Sequence, residues 1–320
     1  MKKYYFLLLM ALSTMPALAQ QVVQYSQYMF NGLYINPAYA GYRGAMNFHM
    51  YYRSQWTGMP DGPSTLAVAA DMRTASDNVG LGINLMSDRV GLEKRTYAYV
   101  NYAYRLRVGI NPDDRLSFGL GLGVIHSGFD NAAARTREPE AINIENSFLP
   151  DARFGVYYST NMFYAGVGVD NLISQLVFND NNGSTRIPPV TQYYITGGGI
   201  VPLTTDILLK PSILVKNANS AANRAWTTDL NAALIFSEQF TVGLSYRTAL
   251  AKGKQLSESL KRPNSIIGLL EFVAAQQFRI GYSFDYALNK INNQVGGTHE
   301  ISLGYMLNRG TQRVRTPRYF

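Results

Sequence analysis

The chain has 320 residues, 29 Lys and Arg against 21 Asp and Glu for a formal charge of +8, and no cysteine. Without cysteine a lipid-modified N-terminal Cys and a disulfide framework are both excluded. Charged residues make up 16% of the chain, below the ~25% usual in soluble domains, while 23 Tyr and 28 Gly are abundant. The basic excess is spread along strands and loops, so it is no nucleic-acid footprint.

Residues 1–19 read as a secretory signal peptide. Lys2 and Lys3 precede an apolar run from Phe6 to Leu12, and Ala17-Leu18-Ala19 stands before Gln20, which predicts cleavage after Ala19. No later stretch approaches the roughly 18 consecutive apolar residues of a transmembrane helix. Residues 20–45 form a leader rich in Gln, Asn and aromatic side chains.

From residue 46 to residue 308 the chain alternates apolar and polar side chains in fourteen runs. We place strands at Asn47 to Gln55, Thr65 to Met72, Val79 to Ser87, Arg95 to Val108, Arg115 to His126, Ala152 to Ser159 and Phe163 to Asn171. The second half gives Tyr193 to Val201, Ile207 to Lys216, Thr227 to Phe236, Phe240 to Thr248, Ser265 to Phe272, Phe278 to Tyr286 and Glu300 to Leu307. A period of two puts alternate residues on opposite faces. Phe278, Ile280, Tyr282, Phe284 and Tyr286 form a greasy face, and Arg279, Gly281, Ser283 and Asp285 a wet one. Connections after even-numbered strands are brief and those after odd-numbered strands mostly long, the pattern of periplasmic turns and extracellular loops. An open sheet edge in hydrocarbon would leave backbone groups unpaired, so the sheet must close. The expected fold is all-β: a closed antiparallel transmembrane β-barrel of 14 strands. The alternative, a soluble β-sandwich, would not place Tyr and Phe on an outward face in nearly every strand.

Strand parity sends a set of charges inward, because a charge on the lipid face at mid-bilayer costs roughly 2 to 4 kcal/mol. The set is Arg53, Asp71, Arg95, Arg105, Arg153, Asp170, Lys210, Asp229, Arg247, Glu271, Arg279, Asp285 and Glu300, and Tyr97, Tyr99, Tyr157 and Tyr164 share its register. Both signs are present. They suit an internal network holding a plug better than a selective pore, so the leader is expected to occupy the periplasmic half of the lumen rather than dangle. The tail, residues 309–320, carries Arg309, Arg313, Arg315 and Arg318 and ends in Phe320. It reads as a solvated end, an insertion signal or a docking strip for an acidic periplasmic surface.

The sequence offers no catalytic, cofactor or metal constellation. His49, His126 and His299 are far apart, and no activated Ser stands near a His. Gly119-Leu120-Gly121-Leu122-Gly123 lies within a strand and reads as small inward positions, not a nucleotide loop. Asp180-Asn181-Asn182-Gly183 could ligate calcium but is the composition of a simple turn.

Gln24-Tyr25-Ser26-Gln27-Tyr28-Met29-Phe30-Asn31, followed by Asn36-Pro37-Ala38-Tyr39-Ala40-Gly41, resembles the opening of the PorP/SprF family of Bacteroidota outer-membrane proteins. Tyr52-Arg53-Ser54-Gln55-Trp56, Gly62-Pro63-Ser64-Thr65 and the closing Pro317-Arg318-Tyr319-Phe320 add to the likeness. The resemblance implies an outer-membrane component of the type IX secretion system or gliding motility. Its expected partners are outer-membrane lipid, a large adhesin or other cargo with a type B C-terminal signal, and periplasmic machinery such as an OmpA-like peptidoglycan binder. The expectation is therefore a non-enzymatic interaction and anchoring protein, with a diffusion channel for small solutes as the alternative.

Overall fold

The computed structural model describes residues 24–109, 111, 113–129, 147–178, 189–218, 226–249, 264–288 and 295–307. The predicted signal peptide, the tail with Arg313, Arg315, Arg318 and Phe320, the Asp180 to Gly183 run and most of the longest predicted connections lie outside these residues.

Strands β1 (Met46–Ser54), β2 (Ser64–Arg73), β3 (Val79–Val90), β4 (Glu93–Arg107), β5 (Arg115–Phe129), β6 (Ser147–Ser159) and β7 (Phe163–Asp170) follow one another as antiparallel neighbours. The wall continues through β8 (Gln192–Gly199), its two-residue continuation β9 (Val201–Pro202), β10 (Ile207–Ala218), β11 (Trp226–Phe236), β12 (Phe240–Ala249), β13 (Ser265–Ala274), β14 (Phe278–Ala287) and β15 (Thr298–Leu307). With β8 and β9 as one stave there are fourteen. β15 pairs with β1 along its whole length, from Met46↔Leu307 to Ser54↔His299, so the sheet closes.

The alternation predicted from sequence is the alternation of burial. In β14 Phe278, Ile280, Tyr282 and Tyr286 face out, while Arg279, Gly281, Ser283 and Asp285 face the bore. In mid-wall the outward side chains are aliphatic and well exposed, as at Ile83, Val100, Leu122 and Leu244. No helix among the described residues is long and apolar enough to cross a membrane, and this greasy outer band is what a lipid-facing wall needs instead.

Several boundaries differ from those predicted. β3 and β4 run on to a two-residue turn at 91–92, with Gly91 at φ +60°, so this connection is short although it follows an odd-numbered strand. β6 starts at Ser147 and not Ala152: Phe148 and Pro150 remain outward, Asp151 and Arg153 inward, and the proline lies at an exposed position where the alternation survives it. The stave predicted as unbroken from Tyr193 to Val201 is interrupted. The β8–β10 ladder stops at Gly198↔Ser212 and resumes at Val201↔Leu209. Pro211 stands in the gap without an N–H to give, and the Ile200 N–H turns to Met162 O at 2.8 Å.

Candidate functional site

The described part of the leader lies inside the barrel. Tyr25, Tyr28, Leu33, Tyr34, Ile35, Ala38, Tyr39 and Tyr42 are all buried in one cluster with inward tyrosines such as Tyr51, Tyr157 and Tyr164, and Phe30 is buried as well. A leader with this many aromatic residues and only one charge, Arg43, between Gln24 and Ala45 has apolar surface to hide and little reason to stay in water.

Local structure comes from two asparagines. The segment folds as three single 3-10 turns, Tyr28–Phe30, Gly32–Tyr34 and Pro37–Tyr39. Asn31 Oδ1 accepts the Leu33 N–H at 3.0 Å and Asn36 Oδ1 the Ala38 N–H at 2.9 Å, each capping the turn after it. Asn36 also donates through Nδ2 to Val156 O at 3.1 Å and Val167 O at 3.0 Å, fastening the start of the third turn to β6 and β7. Pro37 sits at the first turn position, where its missing N–H costs nothing. Tyr39 packs edge-on against Tyr157 with ring centroids 5.7 Å apart. Gly41, at φ +72°, gives its N–H to Asp71 Oδ2 at 2.9 Å, and its carbonyl accepts from Arg105.

Glycines in the wall make room for this backbone. A Cβ on Gly80 would lie 1.9 Å from Ala40 O, and one on Gly119 would lie 2.0 Å from Ala38 N. The inward-facing Gly121 and Gly123 are filled instead by Asn101, Arg153 and Tyr99 from the wall itself.

The leader is not confined to the half of the bore nearer the short turns. Gly41 meets β2, β3 and β4 near their short-turn ends, but Gln24 accepts from Lys216 Nζ at 3.0 Å, close to the long-loop end of β10. Ser26 and Gln27 meet Arg53 and Glu300, also near that end of their strands. The polar groups of Gln24, Ser26 and Gln27 reach past the aromatic middle to the ionic residues beyond it.

Those ionic residues form three groups. The largest is a belt of alternating sign around one side of the bore: Lys216–Asp229 (3.7 Å), Asp229–Arg247 (2.7 Å), Arg247–Asp285 (2.8 Å), Asp285–Arg53 (3.3 Å) and Arg53–Glu300 (3.1 Å). Arg247 holds Asp229 with both Nε and Nη2, the bidentate geometry that makes guanidinium–carboxylate pairs strong. A second group centres on Arg153, which pairs with Asp170 at 2.8 Å, donates to Asn84 and to Tyr34 O, and lies 5.1 Å from the Tyr99 ring centroid. Tyr99 in turn donates to Asp151 at 2.6 Å. The third group lies toward the short turns, with Asp71 held by Asn47 and Gly41, Glu271 3.6 Å from Arg279, and Lys210 over the Phe30 ring and near Met29 O. Arg95 stands apart near the rim, paired with Glu93 at 2.6 Å.

Some participants were not singled out from sequence. Lys216 shares the parity of Lys210 and was open to the same argument. Asp151 precedes the strand predicted from Ala152, and extending that strand by one residue turns it inward. Arg43, which donates to Phe30 O at 2.5 Å and Tyr39 Oη at 3.3 Å, lies in aperiodic sequence where parity has no meaning. Beyond the leader, Gln55 donates to Pro63 O at 2.8 Å and Trp56 to Thr298 Oγ1 at 3.3 Å, joining two further motif segments at the long-loop rim. Among the described residues no three His, Asp or Glu side chains gather as a metal ion would require.

Fourteen antiparallel staves, oily outside and ionic within, closed between first and last, define an outer-membrane β-barrel. The chain belongs to the PorP/SprF family: residues 17–305 match the type IX secretion system membrane protein PorP/SprF. No curated relative matches it. Among solved structures the chain is similar to the CymD monoaromatic hydrocarbon channel, at 11% identity over 90% of this chain and 94% of that one, with a TM-score of 0.52. A similar match is the TodX deltaS2S3 mutant monoaromatic hydrocarbon channel, at 9% identity over 89% and 94% with a TM-score of 0.50. At such identity the likeness is one of fold alone.

Proposed function

We propose that the protein is a non-enzymatic interaction and anchoring component of the type IX secretion or gliding machinery, a barrel obstructed by its own leader. Its long outer loops engage an exported surface protein, in this reading a large adhesin with a type B C-terminal signal. Its periplasmic face, with the basic tail, engages the secretion or motility machine or an OmpA-like peptidoglycan binder. The observation that carries the reading is the occupied bore. A segment bonded to Glu300, Asp71, Asn84-linked Arg153 and the carbonyls of β6 and β7 leaves little passage for solute, so membership of a secretion family is better served by holding proteins than by conducting.

Affinity isolation from native membranes in mild detergent tests the partners. Recovery of a large exported repeat protein supports the adhesin branch, recovery of a peptidoglycan-binding protein supports the anchoring branch, and recovery of neither defeats the proposal. Planar-bilayer recording tests the obstruction. Steady current from the intact protein would favour the diffusion-channel alternative, whereas current only after deletion of residues 20–45 supports a plug.

A further inference from the structure

The barrel's most demanding joint is the one between β1 and β15. Arg53 and Glu300 face each other across it, 247 residues apart in sequence, whereas the other joints connect strands that follow each other along the chain. Closing so long a loop carries the largest entropic cost in the wall, and a one-residue slip would turn Glu300 into lipid.

The leader is bonded to both sides of this joint. Glu300 Oε1 accepts the Gln27 N–H at 3.0 Å, and Oε2 accepts the Ser26 N–H at 3.2 Å beside Arg53 Nη1 at 3.1 Å. Arg53 Nη1 also donates to Ser26 Oγ at 2.6 Å. The Gln27 side chain fits the same joint: Nε2 donates to Glu300 O at 3.0 Å, and Oε1 accepts from Ser302 Oγ at 2.6 Å. On the neighbouring β14 a Cβ at Gly281 would lie 2.4 Å from Gln27 Oε1, so the wall is hollowed to receive it. Two consecutive leader residues therefore read the carboxylate, the backbone carbonyl and the hydroxyl of β15 in one register while touching the guanidinium of β1.

We propose that Ser26 and Gln27 act as an internal clasp that sets the register in which the last strand closes on the first. Because the leader is covalently continuous with β1, it presents these donors where β15 must arrive, and only the native register places Glu300 and Ser302 within their reach. The proposal concerns assembly of the barrel and is independent of which partners it later holds.

Thiol cross-linking during refolding into detergent micelles tests it, since the chain has no cysteine of its own. Cysteines at Tyr52 and Ile301, paired on the outer face, report native closure; cysteines at Val156 and Val167 report the β6–β7 hairpin. Deleting residues 24–31 should lower the 52–301 cross-link several-fold and leave the 156–167 cross-link unchanged, and the double change Ser26→Pro with Gln27→Leu should do the same. Wild-type closure in both variants would overturn the clasp. Equal loss of both cross-links would also overturn it, because a clasp confined to one joint spares a local hairpin.

Discussion

The Ala40 carbonyl oxygen rests against Gly80 so closely that a Cβ at position 80 would lie 1.9 Å from it. Leader and wall meet there backbone to backbone, and neither can give way as the end of a flexible side chain would. Gly80→Val should therefore destabilise the barrel by about 1–3 kcal/mol through overpacking and expose the leader to chymotrypsin at Tyr39 and Tyr42. Gly268→Ala is the control: nothing lies within 4 Å of a Cβ at that site, and its unfolding midpoint in urea should match wild type.

Arg247 stands between Asp229 and Asp285, both buried. Arg247→Leu leaves two carboxylates sharing what remains of the belt and should cost about 3–5 kcal/mol, the usual penalty for breaking a buried pair from one side. The shift of thermal mobility in detergent gels measures it, against Arg107→Ala on the exposed end of β4, which should leave that mobility at the wild-type temperature.

The barrel itself was legible because a membrane wall makes one demand on every strand: oil outside, water within. That demand repeats from Phe278 to Tyr286 and from Phe240 to Arg247 without exception, and even Arg153 and Asp229, on different strands, follow it. Boundaries were less legible where the rule weakens. Ser147 to Asp151 alternates, but it closes a long polar stretch that reads as a loop, and nothing local announces that Pro211 opens the ladder opposite Gly199 and Ile200. The seat of the leader was legible only as motif and apolar need. The pairing of Asn36 with carbonyls of β6 and β7 joins residues 120 and 131 positions apart, a relation without period or spacing.

Asn36 uses its oxygen as a cap and its nitrogen as a tether. Asn36→Ala removes both and should cost about 2 kcal/mol, the sum of a lost cap and a modest hydrogen-bond loss. Asn36→Asp keeps the cap yet aims a carboxylate at two carbonyl oxygens, so it should be the more damaging change although it is the closer isostere. Urea denaturation of the two variants side by side ranks them.

Asp77 lies in the short turn after β2, outside the membrane-spanning strands. Burial pushes its carboxyl up, but the hydrogen bond from Arg115 at 2.8 Å and the charges of Arg73 and Arg115 outweigh this and hold it below the usual carboxylate range. A depressed folded value means the contribution is present above the unfolded value of about 3.9 and lost as pH falls through the folded one. Asp77→Asn should thus lower the unfolding midpoint at neutral pH and converge with wild type in acid. Midpoints that differ equally at both pH values would contradict the assignment.

The belt that runs from Lys216 to Glu300 contains three cations and three anions in strict alternation. Seen from the axis such a belt is electrically blank, because each charge cancels its neighbour within a few ångström. With the leader removed, that side of the bore would consequently favour neither potassium nor chloride, and neutralising any single member of the belt would give it a sign.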